Sequence, residues 1–470
     1  MKKLVFFLLA LAVLSSMIVL TSCGHVHTLS EPIRENEIEP TCRRKGSYDE
    51  LIYCTECEKE LSRKKKEIDR LPHDYVDGLC SVCGFEETTS SEGLAFIINP
   101  DGQSYSLQRI GSCTDTEIVV GSYNGLPVTK ILYGAFEGCR NIKKIKILDS
   151  VNTIEQFAFR DCSSLEEINI PDGVTVINYE SFKGCSALKS IEIPESVYEI
   201  DDGAFRACAS LANVTFSDNL YKIGTNAFLG CDSFTEVVIP RNVAKLGDYA
   251  FSACKSLERI ELVEGVAIIG SYSFSACTAL KELDLPYSIS TISNAAFQNC
   301  SALETVTMQN NVTLIGPSAF SGCSSLSSIT LSTSLEKIQT AAFAGCSSLT
   351  VIDLPESLLS IGNNVFSSCT ALTEIVFPDS LYLIGTETFL NCTALEKVTF
   401  GTGLSSLGAE TFVGCNSLAY VLFKDPVGWN SVEDPASSNG TQVKEDVFKN
   451  PQQTAVYMQN VYVNRYLRKF

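Results

Sequence analysis

Cysteine and histidine near the N-terminus form the first group of residues that could do chemistry. Two Cys-x-x-Cys pairs, Cys54 with Cys57 and Cys80 with Cys83, have twenty-two positions between them. Zinc ribbons use such pairs because a tetrahedral ion takes two thiolates from each of two tight turns. The separation slightly exceeds the usual range of about 15 to 20 residues. The pattern therefore predicts a small Cys/His-rich module with zinc as its cofactor, held by these four thiols.

A second ligand set and a different pairing stay open for the same segment. His27, Cys42 and His73 lie close by in the sequence and could hold a second ion. The oxidising exterior of a cell instead favours two disulfides. A disulfide within one Cys-x-x-Cys turn is strained, however, and no thioredoxin-like βαβ pattern surrounds either pair.

Residues 1–22 have the features of an export signal. Lys2 and Lys3 precede a long apolar segment, as in a secretory signal peptide. The following Leu-Thr-Ser-Cys resembles a bacterial lipobox, and the resemblance implies that Cys23 is lipidated and becomes the mature N-terminus. We therefore expect an exported protein anchored to the membrane by lipid and exposed at the cell surface. An uncleaved signal anchor is the alternative, because the apolar segment is nearly long enough to span a bilayer.

A further cysteine recurs at every twenty-third position through most of the chain, with phenylalanine three positions before each. Stacked parallel coils would place neighbouring Cα atoms about 4.8 Å apart, a distance that alone permits a disulfide. The Cβ vectors would run parallel, however, and keep the sulfurs apart. We expect structural thiols that fill a turn and donate hydrogen bonds to backbone carbonyls of the adjacent coil. The series is Cys139, Cys162, Cys185, Cys208, Cys231, Cys254, Cys277, Cys300, Cys323, Cys346, Cys369, Cys392 and Cys415.

The elements that position these cysteines repeat with the same period. Apolar residues recur three, six, eight, twelve and fifteen positions after each cysteine, as in Leu188, Ile191 and Ile193. The segment LxxIxIP alternates apolar and polar residues, which predicts a short strand ended by proline. The segment SVxxIGxxAF forms the return path. A fixed period of this length predicts a β-rich solenoid of parallel stacked coils.

The repeat resembles the leucine-rich repeats of BspA-like surface proteins, which have the same period. The resemblance divides the chain into a lipoprotein signal peptide (1–22), a Cys/His-rich module and linker (23–90), an N-terminal cap (91–130), a solenoid of about 13 repeats (131–423) and a C-terminal cap (424–470). It implies attachment to host matrix proteins, host receptors or the proteins of other cells. Caps are also expected physically, because a bare terminal coil would expose apolar side chains and unpaired strand edges.

Composition excludes several classes of function. The net charge of -19 argues against nucleic acid as a partner, because phosphate binding requires lysine and arginine. No histidine follows His73, which excludes Ser-His and Cys-His nucleophiles from the repeats. Glu261 and Asp284 share a column on adjacent coils at a spacing near that of retaining glycosidases. A regular solenoid face offers no cleft for such chemistry, and we expect no enzyme.

The outward positions of the predicted strands provide a candidate binding face. They lie five and seven positions after each cysteine and flank a buried position. Around the middle of the repeats they are acidic and then hydroxyl-bearing, at Glu261, Glu282, Asp284, Thr307 and Thr330. We expect a cell-surface binding or adhesion protein that gains affinity from many coils together. A structural spacer or envelope component without a specific ligand is the alternative.

Overall fold

The computed structural model describes residues 28–40, 46–68, 75–76, 79–80, 89–433, 440–460, 462 and 465–469. The chain divides into two units between Thr88 and Thr89. The N-terminal unit contains an antiparallel sheet in the order β1-β2-β3 and a two-stranded pair, β4 with β5. Its strands are β1 (Ile33–Ile38), β2 (Gly46–Tyr53), β3 (Glu60–Ile68), β4 (Tyr75–Val76) and β5 (Leu79–Cys80).

Opposite charges face each other across the longest strand pair of this unit. In the register of β2 and β3, Asp49 lies opposite Lys65 and Glu50 lies opposite Lys64. Cross-strand pairs of opposite charge stabilise an antiparallel pair modestly. Lys64 and Lys65, within the basic run 63–66 of β3, therefore each face an acidic residue of β2.

The second unit begins with a cap, which consists of a hairpin and further short strands that precede the repeats. Strands β6 and β7 are antiparallel, whereas β7 and β10 are parallel and in line with the repeats that follow. Tyr105 and Tyr123 pack around Phe96, with ring centroids 6.5 Å and 4.4 Å from that ring. The strands are β6 (Ala95–Ile98), β7 (Tyr105–Arg109), β8 (Glu117–Val120), β9 (Ser122–Tyr123) and β10 (Leu126–Ile131).

Each repeat forms one coil, and most coils contribute two strands. We call the strands that lie five to eight positions after a column cysteine front strands, and those fourteen and fifteen positions after it back strands. The strands are, in chain order, β11 (Lys144–Ile147), β12 (Thr153–Ile154), β13 (Glu167–Ile168), β14 (Val176–Ile177), β15 (Ser190–Glu192), β16 (Glu199–Ile200), β17 (Asn213–Thr215), β18 (Lys222–Ile223), β19 (Glu236–Ile239), β20 (Arg259–Leu262), β21 (Ile268–Ile269), β22 (Glu282–Leu285), β23 (Thr291–Ile292), β24 (Thr305–Met308), β25 (Leu314–Ile315), β26 (Ser328–Thr330), β27 (Lys337–Ile338), β28 (Ser360–Ile361), β29 (Glu374–Val376), β30 (Leu383–Ile384), β31 (Lys397–Phe400), β32 (Ser406–Leu407) and β33 (Tyr420–Phe423).

Backbone hydrogen bonds join successive coils along three columns. The front strands pair in parallel, as β22 does with β24 and β24 with β26. The back strands form one parallel series from β21 to β32. The third column lies at the turn around each phenylalanine, where the Phe136 N–H donates to the Ala158 carbonyl at 2.8 Å and the Phe320 N–H to Ala342 at 2.8 Å. The expected solenoid of parallel stacked coils is confirmed.

The core is a series of repeated side chains rather than a single cluster. The column phenylalanines stack almost parallel, with centroids 5.1 Å apart between Phe182 and Phe205 and 5.8 Å apart between Phe343 and Phe366. The apolar positions of the strands point to the same interior, and Leu283 and Ile292 are buried at 1% and 0% exposure. Each coil alone would expose these groups, so their burial against neighbours supplies the main stabilisation.

The C-terminal cap covers the last coil with residues outside the repeat. Strand β36 runs antiparallel to β32 and also pairs with β34. The Tyr462 hydroxyl donates to the carbonyls of Leu407 and Gly408 at 2.8 and 2.6 Å, and the Gln459 amide donates to the Cys415 carbonyl at 2.9 Å. The bond to Leu407 satisfies an acceptor that a following coil satisfies in earlier repeats, as the Gly408 N–H does for the Ile384 carbonyl at 2.8 Å. The elements are β34 (Trp429–Val432), β35 (Thr441–Gln442), α1 (Asp446–Lys449), α2 (Pro451–Asn460) and β36 (Tyr466–Lys469).

Two residues of every repeat adopt a left-handed backbone conformation, five positions and one position before the column cysteine. Glycine occupies some of these positions, such as Gly230 at φ 74°, but alanine occupies others, such as Ala276 at φ 59°. This conformation costs an L-residue about 1–2 kcal/mol. A Cβ built on Gly230 would find no heavy atom of another segment nearer than 4.0 Å. The methyl group at this position therefore contributes little packing to offset the strain.

We expect Ala276→Gly to stabilise the solenoid by about 0.5–1 kcal/mol, because relief of the strain exceeds the added entropy of the unfolded chain. The matched control is Ala279→Gly in the same coil, where φ is not positive and glycine should destabilise by about 0.5–1 kcal/mol. Urea unfolding followed by circular dichroism measures both changes. A lower midpoint for Ala276→Gly would contradict the assignment of strain.

Candidate functional site

The front strands present the outward side chains as the sequence predicts. In β20 and β22 exposed and buried residues alternate strictly, with Glu261, Glu282 and Asp284 exposed. Thr330 is also exposed, whereas Thr307 is half-buried. The five candidate residues therefore lie on the side of the solenoid that the period-two pattern assigns to solvent.

Some charges on this face are paired between coils. Lys144 lies 2.7 Å from Glu167, and Lys397 lies 2.6 Å from Glu374, in each case one coil apart. Arg259 contacts Glu261 at 3.5 Å in the same strand. Glu282 and Asp284 have no ion-pair partner among the described residues. Glu282 and Asp284 therefore have no ion pair to give up on binding a ligand, whereas Glu261 would give up a weak, exposed one.

The front sheet is interrupted, which the sequence does not predict. Strands β20 and β22 occupy consecutive coils but belong to different sheets. A depression of about 310 Å³ lies between them and is lined by Arg259, Glu261, Glu282 and Asp284. The backbones of Glu261 and Asp284 are therefore not joined by the ladder that the repeat predicts. The depression is acidic and polar, and it suits contact with side chains of a partner.

The column thiols form a continuous hydrogen-bonded series inside the solenoid. Each thiol from Cys162 to Cys415 donates to the carbonyl of the column phenylalanine of the preceding coil, with Sγ–O distances from 2.9 to 3.4 Å. The same carbonyl accepts the N–H of the cysteine in its own coil, as Phe159 does from Cys162 at 3.2 Å. Cys139, in the first repeat, is only half-buried.

Burial suppresses the acidity of these thiols. It raises the pKa of Cys208, Cys254, Cys300, Cys369 and Cys415 to about 12. The pKa values of Cys277 and Cys346 are also raised well above the ordinary value, by burial first and by neighbouring thiols second. The thiolate is the nucleophile and the metal ligand, so the column is chemically inert near neutral pH.

Part of the predicted zinc set lies in the described N-terminal unit. Cys54 and Cys57 lie in the turn between β2 and β3, where the Glu58 N–H donates to the Cys54 carbonyl at 2.9 Å. Cys54 is buried and Cys57 is exposed, and Cys80 ends β5. Cys83, and the second set of His27, Cys42 and His73, lie outside the described residues. The described part of the chain brings no three candidate ligands together.

The predicted lipidation site, Cys23, also lies outside the described residues. None of the helices in the part of the chain that the structure describes is long and apolar enough to cross a membrane.

Sequence analysis missed a cluster of exposed aromatic residues beside the phenylalanine turns. Tyr133 and Tyr179 contact Phe157 edge to face, with ring centroids 5.0 and 5.3 Å apart. The Arg160 guanidinium lies 4.8 Å from the centre of the Phe157 ring. The available signal was an aromatic residue five or six positions before the cysteine in three consecutive repeats.

The geometry defines the class of protein as a leucine-rich repeat solenoid with one repeat per coil. The model of the BspA type leucine rich repeat region matches residues 124–235, 221–350 and 314–436. These matches cover more than half of the chain, and the chain belongs to the BspA-type leucine-rich repeat family. Proteins of this family are typically surface-exposed bacterial proteins.

Several solved structures of bacterial proteins are similar to this chain. A leucine-rich repeat protein from Bacteroides ovatus is 32% identical over 70% of this chain and 93% of its own, with a TM-score of 0.56. A leucine rich cell surface protein from Faecalibacterium prausnitzii is 27% identical over 67% of this chain and 95% of its own, with a TM-score of 0.43. The pneumococcal vaccine antigen PcpA is 20% identical over 78% of this chain and 91% of its own, with a TM-score of 0.47. No curated protein matches the chain.

We expect the buried column thiols to resist labelling in the folded protein. At pH 8 a thiol with a pKa of about 12 is ionised in roughly one molecule in ten thousand, and burial also excludes the reagent. A disulfide reagent should modify the column cysteines only after denaturation, with half-buried Cys139 reacting first. Mass mapping identifies the labelled residues. Rapid labelling of Cys323 in the native state, or a disulfide between column neighbours, would contradict this assignment.

Proposed function

We propose that the chain is an exported surface protein that binds extracellular proteins of a host or another cell through its front strands. The observation that supports this most directly is the row of exposed side chains at fixed intervals on the front of the coils. Solenoids use such extended faces as contact surfaces. The family and its typical location at the bacterial surface support the same function.

The proposal includes a lipid anchor at Cys23 and no catalytic activity. A lipidated N-terminus would tether the protein and leave the repeats free to meet a partner. The repeats contain no histidine, and the acidic depression between β20 and β22 is open rather than enclosed. Glu261 and Asp284 therefore act in contact with a ligand and not as an acid–base pair.

We expect Glu261→Lys, Glu282→Lys and Asp284→Lys together to weaken binding at least tenfold, because the acidic patch becomes basic; tenfold is about 1.4 kcal/mol. The measurement is saturable binding of the purified full chain to an array of immobilised matrix proteins and bacterial surface proteins. The matched control is Glu92→Lys, Glu137→Lys and Glu336→Lys, which reverses three exposed charges elsewhere.

Equal loss from both triple variants would remove the front face as the binding surface. Absence of saturable binding by the unaltered chain across the array would favour a structural spacer.

Cells that carry Cys23→Ala should release the protein and lose adhesion, while the released protein keeps its affinity. Adhesion that persists in this variant would exclude the lipid anchor.

For the N-terminal unit we propose a structural zinc ion at Cys54, Cys57, Cys80 and Cys83. The tight turn that carries Cys54 and Cys57 between two antiparallel strands supports this ligand set, since zinc knuckles present paired thiolates on such turns. His27, Cys42 and His73 would supply a second ion.

We expect the purified full chain to contain about one zinc ion, or two if the second set is used. Cys54→Ser with Cys80→Ser should remove the ion and make the N-terminal unit sensitive to protease. Cys113→Ser, a buried cysteine of the other unit, is the control and should keep the metal. Elemental analysis and limited proteolysis measure these effects. A metal-free chain with oxidised Cys-x-x-Cys pairs would establish disulfides instead.

A further inference from the structure

The front sheet opens again between β17 and β19, two coils closer to the N-terminus than the acidic depression. These strands lie on consecutive coils but belong to different sheets. A depression of about 550 Å³ lies between them and is lined by residues of both front segments, including Val214, Phe216, Val237 and Val238, together with Val263. We call this depression the front slot. It is lined only by front segments, so it opens on the same face as the candidate binding residues.

The solenoid is intact behind the slot. On the back column the Gly247 N–H donates to the Ile223 carbonyl at 3.0 Å, and at the phenylalanine turn the Phe205 N–H donates to the Ala227 carbonyl at 2.8 Å. The Cys231 thiol donates to the Phe205 carbonyl at 3.3 Å. The slot is therefore a local opening of one hydrogen-bond column while the other two columns hold the same coils together.

Both walls of the slot direct backbone groups into it. The Thr215 carbonyl accepts from Ile193 of the preceding coil at 3.0 Å, so the alternation of a parallel ladder turns the N–H and C=O of Val214 toward the slot. On the opposite wall the Thr235 carbonyl accepts from Arg259 of the following coil at 3.2 Å. The same alternation turns the backbone groups of Glu236 and Val238 toward the slot.

The floor of the slot is apolar and partly exposed. Val214 and Phe216 are half-buried, whereas the equivalent Val237 and Ile239 of the next coil are 4% and 0% exposed. The Phe216 ring packs edge to face on the core ring of Phe228, with centroids 5.6 Å apart. Core side chains are thus accessible between two strands whose facing edges do not pair with each other. Backbone groups without partners beside apolar surface are costly, and a further strand would satisfy both.

We propose that the front slot binds an extended segment of a partner protein, which pairs its backbone with β17 and β19. This inference rests on the proposed protein-binding function and adds a site and a mode of recognition to it. A residue in a sheet occupies about 160 Å³, from about 3.3 Å along the strand, 4.8 Å between strands and 10 Å between layers. The volume of the slot thus matches about three or four residues. Alternate side chains of the segment should be apolar, to cover Val214 and Phe216.

The first test measures backbone hydrogen exchange in the free full chain. The segment of β19, which faces the slot, should exchange at least tenfold faster than the segment of β24, which is paired with β22 on one side and with β26 on the other. Mass spectrometry of peptic fragments that cover residues 234–240 and 303–309 compares the two. Equal protection would show that β17 and β19 are paired in solution and would overturn the proposal.

The second test uses a labelled heptapeptide with the sequence of residues 257–263, Leu-Glu-Arg-Ile-Glu-Leu-Val. This peptide has the alternating pattern that the slot requires, and its binding is measured by fluorescence anisotropy. We expect saturable binding that protects residues 234–240 from exchange. The same peptide with N-methyl groups on alternate residues keeps its side chains but loses backbone donors, and should bind at least tenfold more weakly.

The matched protein variants are Val238→Pro and Val351→Pro. Val238→Pro removes an N–H that faces the slot and takes no part in the pairing with β20. Val351→Pro makes the same change at another exposed front residue, outside the slot. We expect weaker peptide binding only for Val238→Pro. Binding that is insensitive to Val238→Pro and to N-methylation, or no binding at all, would overturn the slot. Array binding that still depends on Glu261, Glu282 and Asp284 would then leave the proposed function in place.

Discussion

The structure depends on one constraint, that each coil must meet its neighbours along at least two of its three backbone columns at the spacing of hydrogen-bonded strands. An inserted residue would move every later donor of that coil out of register, which explains why the spacing of the column cysteines is uninterrupted from Cys139 to Cys415. The same constraint fixes two left-handed residues per coil, since the chain must turn sharply on either side of the phenylalanine. Alanine, asparagine and glutamate accept this strain at many of those positions.

Stacking also explains how the chain can carry so many buried thiols. Each S–H has an acceptor in the preceding coil, and each acceptor carbonyl already binds the N–H of its own coil. A carbonyl oxygen has two lone pairs and can serve both donors. Because burial raises the thiol pKa values and the side chains are parallel, neither a thiolate nor a favourable disulfide geometry is available. Cysteine thus serves here as a small, buried residue with one weak donor.

The sequence predicts the periodic part of the fold well, because each column is sampled many times. The alternation around Ile191 or Leu283, the phenylalanine stack and the inward thiols all follow from the period. The interruptions of the front sheet could not be predicted in this way. They depend on how residues such as Ser217, where six other repeats have proline, and Phe234, where most other repeats have leucine, change the packing of one pair of coils. The half-buried state of Cys139 reflects its position in the first repeat, beside a cap whose sequence does not repeat.

The candidate site was predicted in position but not in shape. Period-two alternation is enough to place Glu261, Glu282 and Asp284 on the solvent side of their strands. It carries no information on whether adjacent strands pair, because pairing is a property of two coils and not of one. The back column and the phenylalanine turns keep the coils in register even where β17 does not pair with β19 and β20 does not pair with β22. Two columns therefore suffice for the fold, and the front column can vary. Because the fold does not require every pair of front strands to be hydrogen-bonded, the residues and openings on this face can vary with the partner that the protein binds.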